Sequence, residues 1–221
     1  MRSDYKGVWT ALSESLSSAK MHVSGTEDDA IVETSGAGTS EFLLNSVGIR
    51  PTDIVLEIGC GIGRVGKYLA GRCQRWIGAD VSPNMLTFAA ERLRGFPNVE
   101  FVELSGNDLR PLGDSSIDVV YCTVVFMHLE GWDRYGYVEE AFRVLRPGGK
   151  LYVDNVNLCS DSGWAIFETH RKFPPSERPD HITVCSTPQE LQEYLKRAGF
   201  EQVQSQPGDE LIAVWGRKPV S

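Results

Sequence analysis

The sequence predicts an α/β fold in which a doubly wound, mostly parallel sheet of seven strands carries helices on both faces. From residue 53 onward, short runs of β-favouring apolar residues alternate with helical periodicities, as in parallel sheets with crossover helices. The first of these runs ends in a glycine-rich turn that leads straight into a helix. The last two runs, 200–205 and 211–217, are separated by a turn with Pro207 and Gly208, which predicts an antiparallel hairpin at the C-terminal end.

Length and composition place the chain among ordinary globular proteins. Its 221 residues suffice for one α/β domain with a substantial core and are few for two. The hydrophobic fraction of 41% and the charged fraction of 24% are usual for globular domains. The formal net charge of -8 disfavours a nucleic-acid partner, because such binding rests on lysine and arginine neutralising phosphates. A local basic cleft is compatible with this total.

The cysteines indicate a reducing environment. The five of them are scattered, odd in number and form no CxxC pair, which predicts free thiols and neither a disulfide framework nor a zinc site. The N-terminal residues lack the apolar core of a signal peptide, and no apolar run approaches the length of a membrane span. We therefore expect a cytoplasmic protein with no membrane partner.

The N-terminal part of the chain is expected to be helical. Apolar residues recur at helical spacing over residues 4–18 and form one face of an amphipathic helix. The polar stretch 22–36 is expected to be a loop. A short helix that starts at Thr39 or Ser40 is expected to end at Gly48.

The most informative motif is DIVLEIGCGIGR, residues 53–64. An apolar strand that contains Glu57 runs into glycines at positions 59, 61 and 63, and a helix is predicted over residues 64–70. Glycines at this point let backbone N–H groups approach a ligand, and the positive end of the helix is aimed at it. The motif therefore predicts a site for a nucleotide-like cofactor.

The spacing of the glycines discriminates between nucleotide cofactors. A dinucleotide fingerprint requires glycine at the sixth place, where this chain has Arg64, so an NAD-dependent oxidoreductase is the disfavoured alternative. The carboxylate of Glu57 adds nothing for a pyrophosphate but suits a ligand with an ammonium or sulfonium group. An acidic residue followed by GxGxG resembles the first motif of the class I S-adenosylmethionine (SAM) dependent methyltransferases. The resemblance implies SAM as the cofactor.

Asp80 ends the second predicted strand, where an acid can accept hydrogen bonds from both hydroxyls of a ribose. Its separation from Gly59 is similar to that in the family. The alternatives are a helix N-cap or a solvated loop acid, but Ser82 is already a good N-cap with Pro83 at the first helical position. On the helix that follows, Met85 either contacts the adenine or, as is commoner, packs in the core.

Later landmarks also resemble the family. After the third predicted strand, the resemblance implies that Asn107, Asp108 and Leu109 contact the adenine, although asparagine and aspartate are also ordinary turn residues. A continuous apolar strand over residues 117–125 is of the kind buried on both faces of a parallel sheet, and an RPGG turn precedes the fifth strand, 150–156. The residues that the resemblance assigns to the cofactor are Glu57, Gly59, Cys60, Gly61, Gly63, Arg64, Asp80, Val81, Met85, Asn107, Asp108, Leu109 and Thr123.

His128 is the candidate general base. It lies just past the fourth predicted strand, where open α/β sheets bind ligands, and histidine titrates near neutrality. A structural or cofactor-side role for His128 is an equal alternative, and an amine acceptor needs no strong base once it is neutral. The residues expected to contact the acceptor are Tyr5, Trp9, His128, Asp154, Trp164 and Phe167.

Two segments are expected to cover the site. The N-terminal helical segment, residues 1–52, either packs on the body of the domain or forms a lid over the cofactor, as the resemblance implies. The SAM-binding domain is expected over residues 53–221. Its irregular, aromatic-rich insertion at about 157–186 is long enough to act as a cap on a binding site.

A metal site is not expected. The pair Asp154 and Asn155 resembles the magnesium-binding pair of catechol-type O-methyltransferases, but that site needs a carboxylate where residues 122–125 are CTVV.

The hypothesis is therefore SAM-dependent methyl transfer to an O or N atom of a small-molecule metabolite, yielding S-adenosylhomocysteine (SAH). The alternative outside enzymes is a catalytically inactive SAM-fold protein that binds or regulates a partner.

Overall fold

The computed structural model describes residues 4–220, which form a single seven-stranded mixed sheet with helices on both sides. The strands are β1 Ile54–Ile58, β2 Arg75–Asp80, β3 Val99–Glu103, β4 Ile117–Cys122, β5 Leu145–Val156, β6 Glu201–Pro207 and β7 Leu211–Arg217. Their order in the sheet is β3-β2-β1-β4-β5-β7-β6. Strands β1 to β5 run parallel, and β7 pairs antiparallel with both β5 and β6. The predicted fold class is confirmed.

Helices cover both faces because successive strand residues point to opposite sides of the sheet. The α-helices of the described residues are α1 Tyr5–Leu12, α2 Leu16–Ser24, α3 Asp29–Ser46, α4 Gly66–Leu69, α5 Pro83–Leu93, α6 Gly131–Val144, α7 Asp161–His170 and α8 Pro188–Arg197. On one face, Leu56 packs in a cluster with Val138 of α6 and Leu191 of α8. On the other face, Val55 packs in a cluster with α3, α4 and α5. Within residues 4–220, no helix combines the length and the apolar composition needed to cross a membrane.

The order of the strands places a crevice above β1 and β4. The chain winds outward in one direction from β1 and in the other direction from β4, so the loops after these two strands diverge. The glycine turn follows β1 and residues 123–125 follow β4. These two loops therefore border the same crevice.

The N-terminal region differs from its prediction. The single helix expected over residues 4–18 is two helices, because the chain breaks at buried Ser13, whose hydroxyl is hydrogen-bonded to Trp9 and Ser82. The loop expected over residues 22–36 is wrong, since α3 begins at Asp29. In α3 the small hydroxyl side chains bond back to carbonyls of the preceding turn. Tertiary packing against the body of the protein thus overrides weak helix propensity.

Three other elements also differ from their predictions. The helix expected over residues 64–70 is the short α4 followed by a 3₁₀ turn, Ala70–Arg72. Strand β5 begins at Leu145, so the RPGG turn lies within it. The insertion at 157–186 contains a regular helix, α7, which Ser160 caps by accepting a hydrogen bond from the N–H of Gly163.

Candidate cofactor and acceptor site

The turn after β1 keeps three glycines in backbone conformations that other residues rarely adopt. Gly59, Gly61 and Gly63 have φ angles of +70°, +52° and +74°. A Cβ built on Gly59 would lie 2.3 Å from Cγ2 of Val125, and one on Gly63 would lie 2.4 Å from Cδ1 of Leu93. Side chains at these positions would be both strained and obstructed, so the turn presents bare backbone.

Asp80 holds the glycine turn against the end of β2. Its Oδ2 accepts a hydrogen bond from the N–H of Gly61 at 2.8 Å, and its Oδ1 accepts one from the N–H of Ser82 at 2.9 Å. Ser82 caps α5 as predicted. Asp80 nevertheless has a structural role as well, because it holds the glycine turn. Burial raises the pKa of Asp80 to about 6, although the backbone N–H groups act in the opposite direction. A carboxylate accepts about four hydrogen bonds, so it retains capacity for a ligand.

Glu57 belongs to a buried chain of hydrogen bonds that the sequence analysis missed. The hydroxyl of Tyr121 donates to Oε2 of Glu57 at 2.6 Å and accepts from Nε1–H of Trp76 at 2.9 Å. Burial raises the pKa of Glu57 to about 8, and the hydrogen bond from Tyr121 only partly opposes this. Tyr121 faces Glu57 because the two are partners in the β1–β4 register. The pairing of β1 with β4 is therefore the signal that could have identified Tyr121 as the partner of Glu57.

A cavity at the carboxyl ends of β1 and β4 collects most of the predicted site residues. It is a partly enclosed cavity of about 90 Å³, measured as the space open to the centre of a water-sized molecule. The residues predicted for the cofactor that line it are Glu57, Gly59, Cys60, Gly61, Arg64, Asp80, Val81, Met85 and Thr123. The residues predicted for the acceptor that line it are Tyr5, Trp9 and His128.

The loop after β3 contributes different residues from those predicted. Leu104 and Gly106 line the cavity. Asn107 is exposed, Asp108 accepts a hydrogen bond within the loop, and Leu109 is buried in the core. Contacts of these last three residues with an adenine stay a prediction.

The cavity lining suits a ligand that has an amino-acid end, a sugar and a flat base, as SAM has. The carboxyl of Glu57 and the guanidinium of Arg64 border the glycine turn, where they complement the ammonium and carboxylate of an amino acid. A cationic group beside Glu57 would favour its ionised form. In the same lining, the carboxyl of Asp80 is suited to accept hydrogen bonds from sugar hydroxyls, and Met85 and Leu104 form an apolar wall suited to a flat base.

His128 is held in a defined tautomer beside the cavity. Its Nδ1 lies 2.7 Å from the carbonyl oxygen of His181. A carbonyl only accepts hydrogen bonds, so Nδ1 carries the proton and the lone pair of the neutral ring lies on Nε2. The ring of Trp9 packs edge-on against it, with centroids 4.9 Å apart.

The N-terminal helices close one side of the cavity. The hydroxyl of Tyr5 donates to Asp133 at 2.6 Å and accepts from the N–H of Glu130 at 3.1 Å, which anchors α1 to the start of α6. From α2, Val23 reaches the glycine turn, where a Cβ built on Gly61 would lie 2.9 Å from its Cγ2. Helices α1 and α2 therefore contribute directly to the walls of the site.

Three predicted acceptor residues do not line the cavity: Asp154, Trp164 and Phe167. Trp164 and Phe167 pack against each other on α7 and are 50% and 37% exposed. The inner face of α7 carries other residues, among them Ile166 and His170. The insertion is tied to the core by Arg134, which is 2% exposed and was not foreseen from the sequence.

Asp154 has a structural role in this arrangement. Its buried carboxyl accepts hydrogen bonds from the N–H of Val124 at 2.6 Å and from the hydroxyl of Tyr152 at 3.3 Å. It thereby holds the loop after β4, where Val124 has a φ of +61° that is rare for a β-branched residue. Burial raises the pKa of Asp154 to about 7. In the described part of the chain, no group of three or more His, Cys, Asp or Glu side chains could hold a metal ion.

Comparisons with known proteins agree with this geometry. A family model described as a methyltransferase domain matches residues 56–153. The chain is 32% identical over 174 residues to Phosphoethanolamine N-methyltransferase 1 of Arabidopsis thaliana, covering 78% of this chain and 33% of that protein. It is 30% identical over 157 residues to Thiol S-methyltransferase TMT1A of Homo sapiens, covering 69% of this chain and 62% of that protein.

A solved structure shares the fold. It is a SAM-dependent methyltransferase of Thermotoga maritima, described as a possible histamine N-methyltransferase, with a TM-score of 0.65 and 22% identity. The superposition covers 90% of this chain and 91% of that one. The chain aligns with only about a third of the length of its plant relative.

Proposed function

Because residues 56–153 place this chain among the class I SAM-dependent methyltransferases, we propose that it transfers a methyl group from SAM to an O or N atom of a small-molecule metabolite, yielding SAH. The observation that carries the proposal is the cavity in which Glu57, Arg64 and Asp80 surround a bare glycine turn. Bound SAM supplies a sulfonium whose methyl group is open to nucleophilic attack. The chain's own contribution is to bind, orient and, where required, remove a proton.

Orientation is the largest part of that contribution. Methyl transfer is an in-line displacement, and holding the reacting groups in line can supply several kcal/mol, up to about 7–11 in model reactions. The groups proposed to hold the donor lie at the ends of three different strands: Arg64 in the turn after β1, Asp80 as the last residue of β2 and Thr123 just after β4. Their separation along the chain gives the donor contacts on several sides.

His128 is proposed as the general base for an acceptor hydroxyl. Its Nδ1 is committed to the carbonyl of His181, which leaves the lone pair of the neutral ring on Nε2. Because His128 lines the cavity beside Trp9, a proton acceptor stands at the wall of the site. An amine acceptor that binds in its neutral form would not need this base.

The N-terminal segment, residues 1–52, is proposed to act as a lid. Tyr5, Trp9 and Val23 all line the cavity although they come from the first two helices. A ligand enclosed by these side chains has little direct path to solvent, so release requires α1 and α2 to move. The insertion at about 157–186 is proposed to cap the neighbouring acceptor side, since residues of α7 line a second cavity there.

The acceptor class is proposed to be small molecules. By name, the plant relative acts on phosphoethanolamine through nitrogen and the human relative acts on thiols through sulfur. Both acceptors are small and nucleophilic, which supports a metabolite as the acceptor here. A screen should therefore include thiols beside the amines, alcohols and phenols that an N or O acceptor predicts.

Isothermal titration of the protein with SAH tests the cofactor proposal. Gly61→Arg is expected to abolish saturable SAH binding, because a side chain at φ +52° would fill the turn and meet Val23. The matched control is Gly95→Arg, since a Cβ at Gly95 meets nothing within 4 Å; it should bind SAH as the wild type does. Absence of SAH binding by the wild type would refute the proposal, and tight binding of NADH instead would favour an oxidoreductase.

Turnover separates an enzyme from a binding protein. Purified protein with methyl-labelled SAM should label at least one acceptor from the panel. SAH binding without labelling of any acceptor class would favour the catalytically inactive alternative. His128→Gln should reduce labelling of a hydroxyl acceptor and flatten its pH dependence, while SAH affinity is retained.

A further inference from the structure

A second cavity adjoins the cofactor cavity, and most of its lining has no part in the proposed cofactor site. It is wider and more open than the first, with about 840 Å³ measured in the same way. The two cavities share His22, Val23, Arg64, Val124 and His128. A molecule in the second cavity would therefore face the cofactor cavity across these shared residues.

All four histidines of the chain line this second cavity. They come from α2 (His22), the turn after β4 (His128), the end of α7 (His170) and the segment before α8 (His181). The rings of His22 and His181 are perpendicular, with centroids 5.5 Å apart. Nδ1 of His22 lies 2.8 Å from the carbonyl oxygen of Ser18, so it donates there and the neutral ring keeps its lone pair on Nε2.

Unpaired polar atoms concentrate at the same place. Three buried side-chain atoms among residues 4–220 have no hydrogen-bond partner, and two of them, Nδ1 of His170 and Oγ of Ser24, belong to side chains that line this cavity. Arg64 is 7% exposed, and its Nη1 donates only to the hydroxyls of Ser35 and Thr39, at 3.4 and 3.2 Å. The carboxyls of Glu57 and Asp154 also attract Arg64 through space, and Arg64 is proposed to bind the donor, so its charge is already engaged. Buried donors without partners are what a polar ligand would satisfy.

The charge balance around the cavity favours an anion. Apart from Arg64, whose charge is engaged by Glu57, Asp154 and the donor, its lining includes four imidazoles and one carboxylate, that of the exposed Glu210. Next to His181, the carboxylate of Asp180 acts to raise the pKa of the imidazole. Burial and the neighbouring His22 and His170 lower that pKa. Burial also lowers the pKa of His170. This lining contrasts with the net charge of -8 of the whole chain.

We propose that the second cavity is the acceptor site and that the acceptor carries an acidic group, a carboxylate or a phosphate monoester, bound by His22, His170 and His181. The inference rests on the proposed function, since the reacting atom of the acceptor would face the shared wall at His128. An anion favours the doubly protonated imidazole, which donates from both nitrogens. Binding should therefore take up protons and tighten as the pH falls through the range in which imidazoles become protonated.

The experiment follows the Cε1–H NMR resonances of the histidines in SAH-saturated protein during titration with phenyl phosphate. Benzyl alcohol is the neutral control. The resonances of His22, His170 and His181, assigned from single His→Gln variants, should shift saturably at pH 6.5. With phenyl phosphate bound, they should titrate about one pH unit higher, which is about tenfold tighter binding of the anion to the protonated ring.

Variants provide the second measurement. His170→Gln combined with His181→Gln should weaken phenyl phosphate binding at least tenfold while SAH binds as in the wild type, because neither side chain lines the cofactor cavity. Lys172→Gln is the matched control, because Lys172 is an exposed cation just past α7 that does not line the cavity; it should keep the wild-type affinity. If the double variant fails to fold, the wild-type resonances still decide the question.

The outcomes separate this inference from the function on which it rests. Unchanged histidine resonances, or equal shifts with benzyl alcohol, would overturn the acidic acceptor while SAH binding and turnover upheld the methyltransferase. Absence of SAH binding would overturn the proposed function and, with it, the assignment of the cavity as an acceptor site. Phenyl phosphate shifts in the presence of bound SAH would support both.

Discussion

Removing the hydroxyl of Tyr121 is expected to destabilise the protein by more than a single hydrogen bond. In Tyr121→Phe, Glu57 loses the donor at 2.6 Å from its Oε2, and Trp76 loses the acceptor at 2.9 Å from its Nε1. Trp76 and Tyr121 have no exposed surface and Glu57 is 3% exposed. Water therefore has no direct access to replace the hydroxyl.

The size of the effect follows from these two lost partners. An indole N–H left buried and unpaired costs about 1–3 kcal/mol. Because the pKa of Glu57 is raised to about 8, its carboxyl is mostly protonated at pH 7, and its hydrogen bond with Tyr121 contributes about 0.5–1.5 kcal/mol. Together they predict a loss of about 2–4 kcal/mol in the free energy of unfolding. The matched control is Tyr152→Phe, whose hydroxyl bonds to Asp154 only at 3.3 Å. Asp154 keeps its bond from Val124, so this change should cost about 1 kcal/mol.

Urea unfolding at pH 7, followed by circular dichroism, measures both variants against the wild type. Tyr121→Phe is expected to lower the urea midpoint clearly more than Tyr152→Phe does. The slope of the unfolding free energy against urea concentration should be the same in both variants and the wild type. Equal midpoints for the two variants would refute the idea that the chain from Trp76 to Glu57 stabilises the sheet. The same result would remove the reason for treating Glu57 as rigidly positioned beside the glycine turn.

The pKa of Asp154 is raised from 3.8 to about 7. Its contribution to stability is therefore expected to change with pH in the opposite direction to that of most carboxylates. The unfolded chain loses this proton first, so the contribution of Asp154 to stability is complete below the ordinary pKa and is lost as the pH rises through about 7. Asp154→Asn should therefore reduce the fall of the urea midpoint between about pH 4 and pH 7, and the fall that persists comes from Glu57 and Asp80, whose pKa values are also raised. An unchanged fall in the variant would contradict this. Gly63→Ala should cost about 1–2 kcal/mol because of its positive φ, whereas Gly95→Ala should leave the melting temperature nearly unchanged; equal melting temperatures would contradict the strain argument. Arg134→Met should cost about 3 kcal/mol or more, since it leaves buried carbonyls unpaired, and should expose residues 157–186 to limited proteolysis; wild-type resistance would contradict it.

The elements that were predicted correctly are indicated by residue patterns within their own stretch of sequence. The alternation of apolar strands and helices identified all seven strands, and β7 has the predicted bounds. The cap of α5 was also predictable, because Ser82 accepts a hydrogen bond from the N–H three residues ahead and is followed by proline. In each case neighbours in sequence make the contact that stabilises the element.

The elements that were missed are stabilised from outside their own sequence. Helix α3 contains two glycines and several serines and threonines, so its propensity is low, and it forms because Leu43 and Val32 are buried against the body. The contacts of Asp80 with the glycine turn and of Tyr121 with Glu57 join residues on different strands. Aromatic composition placed Trp164 and Phe167 at the acceptor, but α7 turns them outward.

The sequence by itself determined the family of the fold, the bare turn after the first strand and the acid at the end of the second. These depend on glycine conformation, on side-chain periodicity and on spacing along one chain, which are properties of neighbouring residues. Only the tertiary structure decided which side chains meet, because the four histidines, Arg64 and the N-terminal helices come from distant segments that chain folding brings to one edge of the sheet. Their convergence results from packing on both faces of the sheet, and no local pattern encodes it.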